Sequence, residues 1–377
     1  MSAFGIYVHW PYCTAICPYC DFNVYRARGD THAALIAAIE TDIRAHAARF
    51  GARAVGSIFF GGGTPSLLRG EDIARLIAAI GDAYVVGPDC EITLECNPED
   101  AASFAEHVGA GVTRLSVGVQ SLDEDALKRL GRKHDVHSAV AAVDRAADSG
   151  ARVSIDLIYA REGQSIEAWR AELVRALALP IEHASLYQLT VDEGTALQRR
   201  VMRGAASVPD TDLAAEFFAL TQEEAGRAGF PAYEISNHAR SPTAQAQHNL
   251  LYWRSDDWIG VGPGAHGRVT HAGVRVALEA QRRPADYIDA VRENGLGLIT
   301  ETPLTLAEVA DEMLMMGLRI QEGLDLPRLE ALRGAPFKAD ALRWLIEQGL
   351  VTQDQGRLRL TPQGRPLANR IAAELAF

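Results

Sequence analysis

From residue 4 to about 228, short apolar runs alternate with alanine-rich amphipathic stretches. The apolar runs at 5–9, 57–60, 91–95, 114–119, 152–158 and 183–189 predict strands. Apolar residues at helical spacing predict helices over 32–50, 72–83, 135–150 and 167–179. Alternation of this kind builds a parallel sheet with helical crossovers, an α/β fold. Six strand–helix units are two short of a closed eight-strand barrel, so an open (β/α)6 partial TIM barrel over residues 1–228 is expected. A doubly wound sheet would place a glycine-rich phosphate turn directly after the first strand, and cysteines stand there instead.

The alternation stops after residue 228. Residues 229–302 are rich in Gly, Pro, His, Trp and Tyr and read as an irregular covering segment with a few strands. Residues 303–377 form a third unit, with helices over 306–320, 326–332 and 338–348. A hairpin turning at Asp354-Gln355-Gly356 and a last helix over 362–375 complete it, resembling a winged-helix module.

The net charge of −12 and the scattered arginines argue against nucleic acid as a partner. No apolar run reaches the ~18 residues of a membrane helix. The N-terminal run leads into cysteines rather than into a signal-peptide core. A cytoplasmic location is therefore expected, and a reducing compartment argues against disulfides. Cys90 and Cys96, at a predicted strand, read as buried core thiols.

Candidate chemistry begins at Cys13-Thr14-Ala15-Ile16-Cys17-Pro18-Tyr19-Cys20. Three thiolates at this spacing can hold three irons of a 4Fe–4S cluster and leave the fourth iron open. A zinc site would want a second cysteine pair, and the sequence has none. Gly61-Gly62-Gly63-Thr64-Pro65-Ser66 follows the second apolar run. Its glycines let a ligand approach the backbone, and exposed N–H groups in such a turn attract carboxylates. Glu95, Gln120, Arg132 and Asp156 fall at or just past predicted strand ends, where barrel sites collect. Singly, each is as readily a cap or a solvated residue. Around one opening they offer carboxylates to cations and hydroxyls, and a guanidinium to a carboxylate. Tyr7 and Tyr19 flank the cysteines. In His248-Asn249-Leu250-Leu251-Tyr252-Trp253, one imidazole adjoins two flat aromatic faces. A lone histidine is more often a satisfied core residue than a ligand, although imidazole is a common axial ligand of heme. His238 and His266 are weaker candidates.

These segments, together with Tyr7-Val8-His9-Trp10-Pro11, Glu95-Cys96-Asn97-Pro98-Glu99, Ser116 to Ser121, Leu130-Gly131-Arg132, His134 and Asp156-Leu157-Ile158-Tyr159, resemble the oxygen-independent coproporphyrinogen III oxidase superfamily of radical S-adenosylmethionine (SAM) proteins. Within it the chain is most similar to the HemW-type heme chaperones, over nearly its whole length. The resemblance implies a 4Fe–4S cluster on Cys13, Cys17 and Cys20. It implies SAM bound by Gly62, Gly63, Thr64, Glu95, Gln120, Arg132 and Asp156, with Tyr7 and Tyr19 beside it. It further implies heme bound through His248, Tyr252 and Trp253, and heme-requiring respiratory proteins as partners. A homodimer and peripheral membrane association through a partner are compatible with it. Phe22 stands where the oxidases carry a further cysteine, and only six residues precede Tyr7, where the oxidases have a long extension. Both favour the chaperone branch. Coproporphyrinogen III oxidation and another SAM-dependent transfer stay open as alternatives. One departure stands out: the family's Gly-Leu-Pro-Gly-Gln turn reads Ala160-Arg161-Glu162-Gly163-Gln164, with two charges expected near the barrel mouth.

Overall fold

The structure is a computed structural model that describes residues 4–26, 32–337 and 339–376. Alternation along each strand decides which side chains meet. In β1 (Phe4–Trp10), Ile6, Val8 and Trp10 are buried under the helices, while Gly5, Tyr7 and His9 take the other face. Strands β2 (Ala54–Gly62), β3 (Val85–Cys96), β4 (Arg114–Gln120), β5 (Arg152–Tyr159) and β6 (His183–Gln188) follow, each parallel to the one before. Helices His32–Phe50, Gly70–Ala83, Val136–Asp148 and Ile166–Leu177 connect them, close to their predicted bounds. The first buries Leu35, Ile36, Ile39, Ile43 and Phe50 along one stripe at the 3–4 spacing of a packed helix face. The last begins where Ser165 accepts a hydrogen bond from the Ala168 N–H.

From β3 to β6 the inward face carries polar side chains among the apolar ones. Thr93 and Glu95 of β3, Ser116 of β4, Ser154 and Asp156 of β5 and Ser185 of β6 line a cavity of about 710 Å³. Closed barrels fill this space with branched apolar side chains. Here the outer layer of sheet against helices carries the stability, at roughly 1.5–3 kcal/mol for each large apolar side chain fully buried. The interior is left to ligands.

The stretch 229–302 is more regular than its composition suggests. Strand β7 (Asn237–Ala239) pairs antiparallel with β6. Strand β8 (Asp257–Val261) runs parallel to β1 on the opposite side of the sheet. Strands β9 (His266–His271), β10 (Val274–Ala280) and β11 (Leu298–Pro303) continue antiparallel from there. The result is one open eleven-stranded sheet, ordered β11-β10-β9-β8-β1-β2-β3-β4-β5-β6-β7. Nothing local announces β8, because its partner lies at the start of the chain.

Helix Gln247–Trp253 crosses from β7 to β8. It packs against Gly5 and Ser57 on the early parts of β1 and β2, and the Gln247 N–H reaches Glu91 at 2.7 Å. It thus closes the end of the barrel opposite the cysteines.

The C-terminal unit has its own core, with Leu314, Leu329, Leu345, Leu358 and Ile371 buried together. Its first helix, Leu306–Gly317, opens on a Thr305/Glu308 capping box. Helices Leu326–Arg333 and Ala339–Glu347 follow; Lys338, at the start of the predicted 338–348 helix, lies outside the described residues. The hairpin Val351–Asp354/Arg357–Leu360 turns at Gln355 and Gly356, both at positive φ (48° and 72°), as a two-residue hairpin turn requires. The final helix starts only at Ala368, after a tight turn at Arg365–Leu367, where Pro366 has no N–H to give.

Candidate cofactor site at the mouth of the barrel

The cysteine loop leaves the end of β1 and is stitched down by its backbone. Gly63 and Thr64 donate to the carbonyls of Trp10 (2.7 Å) and Tyr12 (2.9 Å), and Tyr25 donates to Pro11 (2.8 Å). Leu197 donates to Pro18 (2.7 Å), and Cys20 to Cys17 (3.2 Å). Cys13, Cys17 and Cys20 are free thiols lining the cavity mouth. The Thr64 hydroxyl donates to Cys13 Sγ at 3.4 Å, and Arg132 Nη1 approaches Cys17 Sγ at 3.6 Å. Burial pushes the Cys13 thiol up and the Cys20 thiol up to about 11. Metal ligation takes the thiolate, so loading this loop releases protons. Among the described residues, no three His, Cys, Asp or Glu side chains gather around a single ion. Sulfurs that bind separate corners of a four-iron cluster stand wider apart than the ligands of one ion. Three free thiols on one loop fit such a cluster.

Below the loop lie two carboxyls. Glu95 accepts the Gly62 N–H at 3.1 Å; burial and the neighbouring Asp156 push its pKa up to about 8. Asp156 is raised to about 6 by burial, against the Ser185 and Ser116 hydroxyls that face it. Two acids that resist ionisation in a poorly solvated cavity suit a cationic ligand, which would favour their charged forms. Gln120 ends β4 in the left-handed region (φ 64°), uncommon for a residue with a side chain and typical of a strained site position. Arg132 donates to Asn97 Oδ1 (2.5 Å) and the Gly118 carbonyl (3.2 Å), while its buried Nε has no partner. Gly62, at φ 109°, leaves room for the His9 ring, which a Cβ there would meet at 2.6 Å. Tyr7 and Tyr19 both line the cavity; the Tyr7 hydroxyl is 3.0 Å from His9 Nδ1.

His248 and Tyr252 line the same cavity, and Trp253 does not. The expectation of an irregular segment is corrected here for the motif. The motif is helical, and His248 is 1% exposed. His248 Nδ1 lies 2.9 Å from Ser57 Oγ and Nε2 2.7 Å from the Tyr252 hydroxyl; burial lowers its pKa to about 3. Trp253 turns toward Tyr233, Leu250 and Ile320, and Arg319 sits over its ring at 5.9 Å. His238 is buried with Nδ1 at the Ser236 carbonyl, whereas the His266 side chain is exposed.

The charges of the departing turn do not enter the cavity. Arg161 turns inward onto Glu172 and Ser121, and Glu172 also accepts the Leu122 N–H at 2.7 Å. Glu162 stays outside and accepts the Ser207 N–H at 3.1 Å. Cys96 touches the cavity, but its thiol donates to the Leu94 carbonyl at 3.2 Å. Sequence reasoning missed Asn97 as a partner of Arg132, and Ser116, Ser154 and Ser185 as cavity lining. The signal was present: polar residues at every second position of otherwise apolar strands mark an inward face.

Known proteins resemble this chain in sequence and in fold. The Radical SAM superfamily matches residues 7–174, and the HemN C-terminal domain matches residues 304–367. The solved structure of coproporphyrinogen III oxidase (HemN) from Escherichia coli superposes with a TM-score of 0.83, covering 100% of this chain and 90% of that one; at 24% identity this is a likeness of fold. Radical S-adenosyl methionine domain-containing protein 1, mitochondrial, of Bos taurus is 37% identical over 98% of this chain and 87% of its own. Heme chaperone HemW of Mycobacterium tuberculosis is 35% identical (99% and 94% covered), and that of Escherichia coli 34% (97% and 96%). The chain therefore belongs to the HemW family of the radical SAM superfamily, a membership that implies a 4Fe–4S cluster and SAM. Among the described residues, no helix is long and apolar enough to cross a membrane.

Proposed function

We propose that this chain is a heme chaperone: it holds a 4Fe–4S cluster on Cys13, Cys17 and Cys20, binds SAM across the barrel mouth, and carries heme to heme-requiring respiratory proteins. The observation that carries the reading is the shared cavity, with three free thiols at its mouth, Glu95 and Asp156 in its wall and the His248–Tyr252 helix at its far end. The curated bacterial relatives are named for heme carriage.

When bound, cluster and SAM bring one-electron reductive chemistry to the mouth. The residues of the chain hold and orient. Glu95 and Asp156 would face the positive charge and ribose hydroxyls of SAM, the Gly62–Thr64 turn would receive its amino-acid end, and Gln120 and Arg132 would complete the rim. Two imidazoles line the cavity, His183 and His248, and His248, on the helix that also carries Tyr252, is the one assigned to iron.

The test is anaerobic reconstitution followed by addition of SAM and heme. About four irons per chain, saturable SAM binding and a stoichiometric Soret band that is lost in His248→Ala support the reading. Coproporphyrinogen III should not be converted to protoporphyrinogen IX, even with SAM and reductant. Sustained turnover in that assay, or no heme bound at all, would sink it.

A further inference from the structure

The imidazole of His248 has no nitrogen to spare. Nδ1 is 2.9 Å from Ser57 Oγ in the early part of β2, a strand hydrogen-bonded on both sides. Nε2 is 2.7 Å from the Tyr252 hydroxyl. The ring stacks on Phe59 (centroids 5.3 Å apart) and meets Tyr252 edge-on at 5.0 Å. A metal bound to imidazole sits about 2 Å from the ligating nitrogen. At Nε2 that place is taken by the Tyr252 hydroxyl. At Nδ1 it is taken by the Ser57 hydroxyl, carried on a strand paired on both sides.

Tyr252 is itself part of the cavity that contains Glu95. Burial, and after it the nearby Glu95 carboxyl, hold the Tyr252 phenol protonated. With Nε2–H donated to the phenol oxygen, the Tyr252 O–H is free to donate into the cavity. With the other tautomer, Tyr252 donates to Nε2 and is held just as firmly. Either way His248 fixes where this wall of the SAM cavity stands.

We propose that His248 has two uses that exclude each other: holding Tyr252 in the SAM cavity, and ligating heme iron through Nε2, so that heme carriage and SAM binding oppose one another. The proposal rests on the reading of His248 as the heme ligand. Linkage requires the opposition to be reciprocal: heme weakens SAM binding by the same factor by which SAM weakens heme binding. One hydrogen bond between buried neutral groups sets a scale of roughly fivefold.

The experiment uses the full chain with its cluster reconstituted anaerobically. SAM dissociation constants are measured by equilibrium dialysis with and without one equivalent of heme, and heme constants by Soret titration with and without saturating SAM. Equal weakening in both directions, by about fivefold or more, is expected. In Tyr252→Phe, Nε2 is released in advance, so heme should bind roughly fivefold tighter and the opposition should vanish. SAM affinity that is indifferent to heme, while His248→Ala abolishes the Soret band, overturns the exclusivity and leaves the heme reading standing. A Soret band unchanged in His248→Ala overturns the heme-ligand reading and this proposal with it. Melting curves of both variants report whether the fold has survived.

Discussion

Replacing Gly63 with alanine puts a methyl group where backbone already stands. An ideal Cβ at this position lies 2.7 Å from the Tyr12 carbonyl oxygen and 2.9 Å from both Pro11 C and Trp10 O. These are main-chain atoms of the cysteine loop, so no side chain can swing aside to make room. The loop must move away from the glycine turn. Its two anchoring bonds, Gly63 N–H to Trp10 O at 2.7 Å and Thr64 N–H to Tyr12 O at 2.9 Å, lie on either side of the clash. At about 1 kcal/mol net for each hydrogen bond, their loss costs about 2 kcal/mol. Because Cys13 follows Tyr12 directly, the displacement also carries one cluster ligand out of place. Iron and sulfide per chain after anaerobic reconstitution should fall below half of wild type, with a lower melting temperature. Gly81→Ala is the control. Gly81 lies in helix Gly70–Ala83 with nothing within 4 Å of its ideal Cβ, and alanine there gains up to ~1 kcal/mol of helix propensity. It should load fully and melt no lower. Wild-type iron content and melting in Gly63→Ala would show that the loop is not held at this turn.

Two further outcomes follow from buried charge. Glu95 and Asp156 have folded-state pKa values raised to about 8 and about 6, so their contribution to stability is full at low pH and is lost as pH climbs through about 4.5–8 and about 3.8–6 respectively. The ligand-free protein should melt progressively lower from pH 5 to 8, SAM should bind more tightly over the same range, and Glu95→Gln should flatten the upper part of both curves. Unchanged profiles in Glu95→Gln would refute the assignment. At the departing turn, Glu172→Ala leaves the Arg161 guanidinium buried without its carboxylate and should cost about 3–5 kcal/mol in denaturant unfolding, whereas Glu162→Ala, at the surface, should change stability by less than about 0.5 kcal/mol. Equal effects would contradict the inward orientation of Arg161.

Much of this was legible in the sequence because strands and helices announce themselves locally. Helix His32–Phe50 and the six barrel strands stand where apolar periodicity places them, and the cysteines and strand-end carboxyls line one cavity. What escaped depends on contacts distant in sequence. Strand β8 is short, and its pairing with β1 spans most of the chain. Reading 247–253 as irregular also hid a consequence of helical geometry: residues four apart share a face and residues five apart do not. His248 and Tyr252 therefore meet, and Trp253 goes to the other side. The fate of Arg161 escaped because its partner Glu172 sits on the next helix, a pairing that composition cannot distinguish from an exposed charge at the mouth.

The cysteine loop holds its shape through main-chain bonds to the glycine turn, to Pro11 and to the chain at Leu197, none of which involves a sulfur. Anchoring and ligation therefore use different atoms: main-chain N–H and C=O groups set the course of the loop, and the sulfurs stay available to metal. A change at a cysteine should therefore remove a ligand without loosening the loop, whereas a change at the glycine turn loosens the loop with all three sulfurs still in the chain.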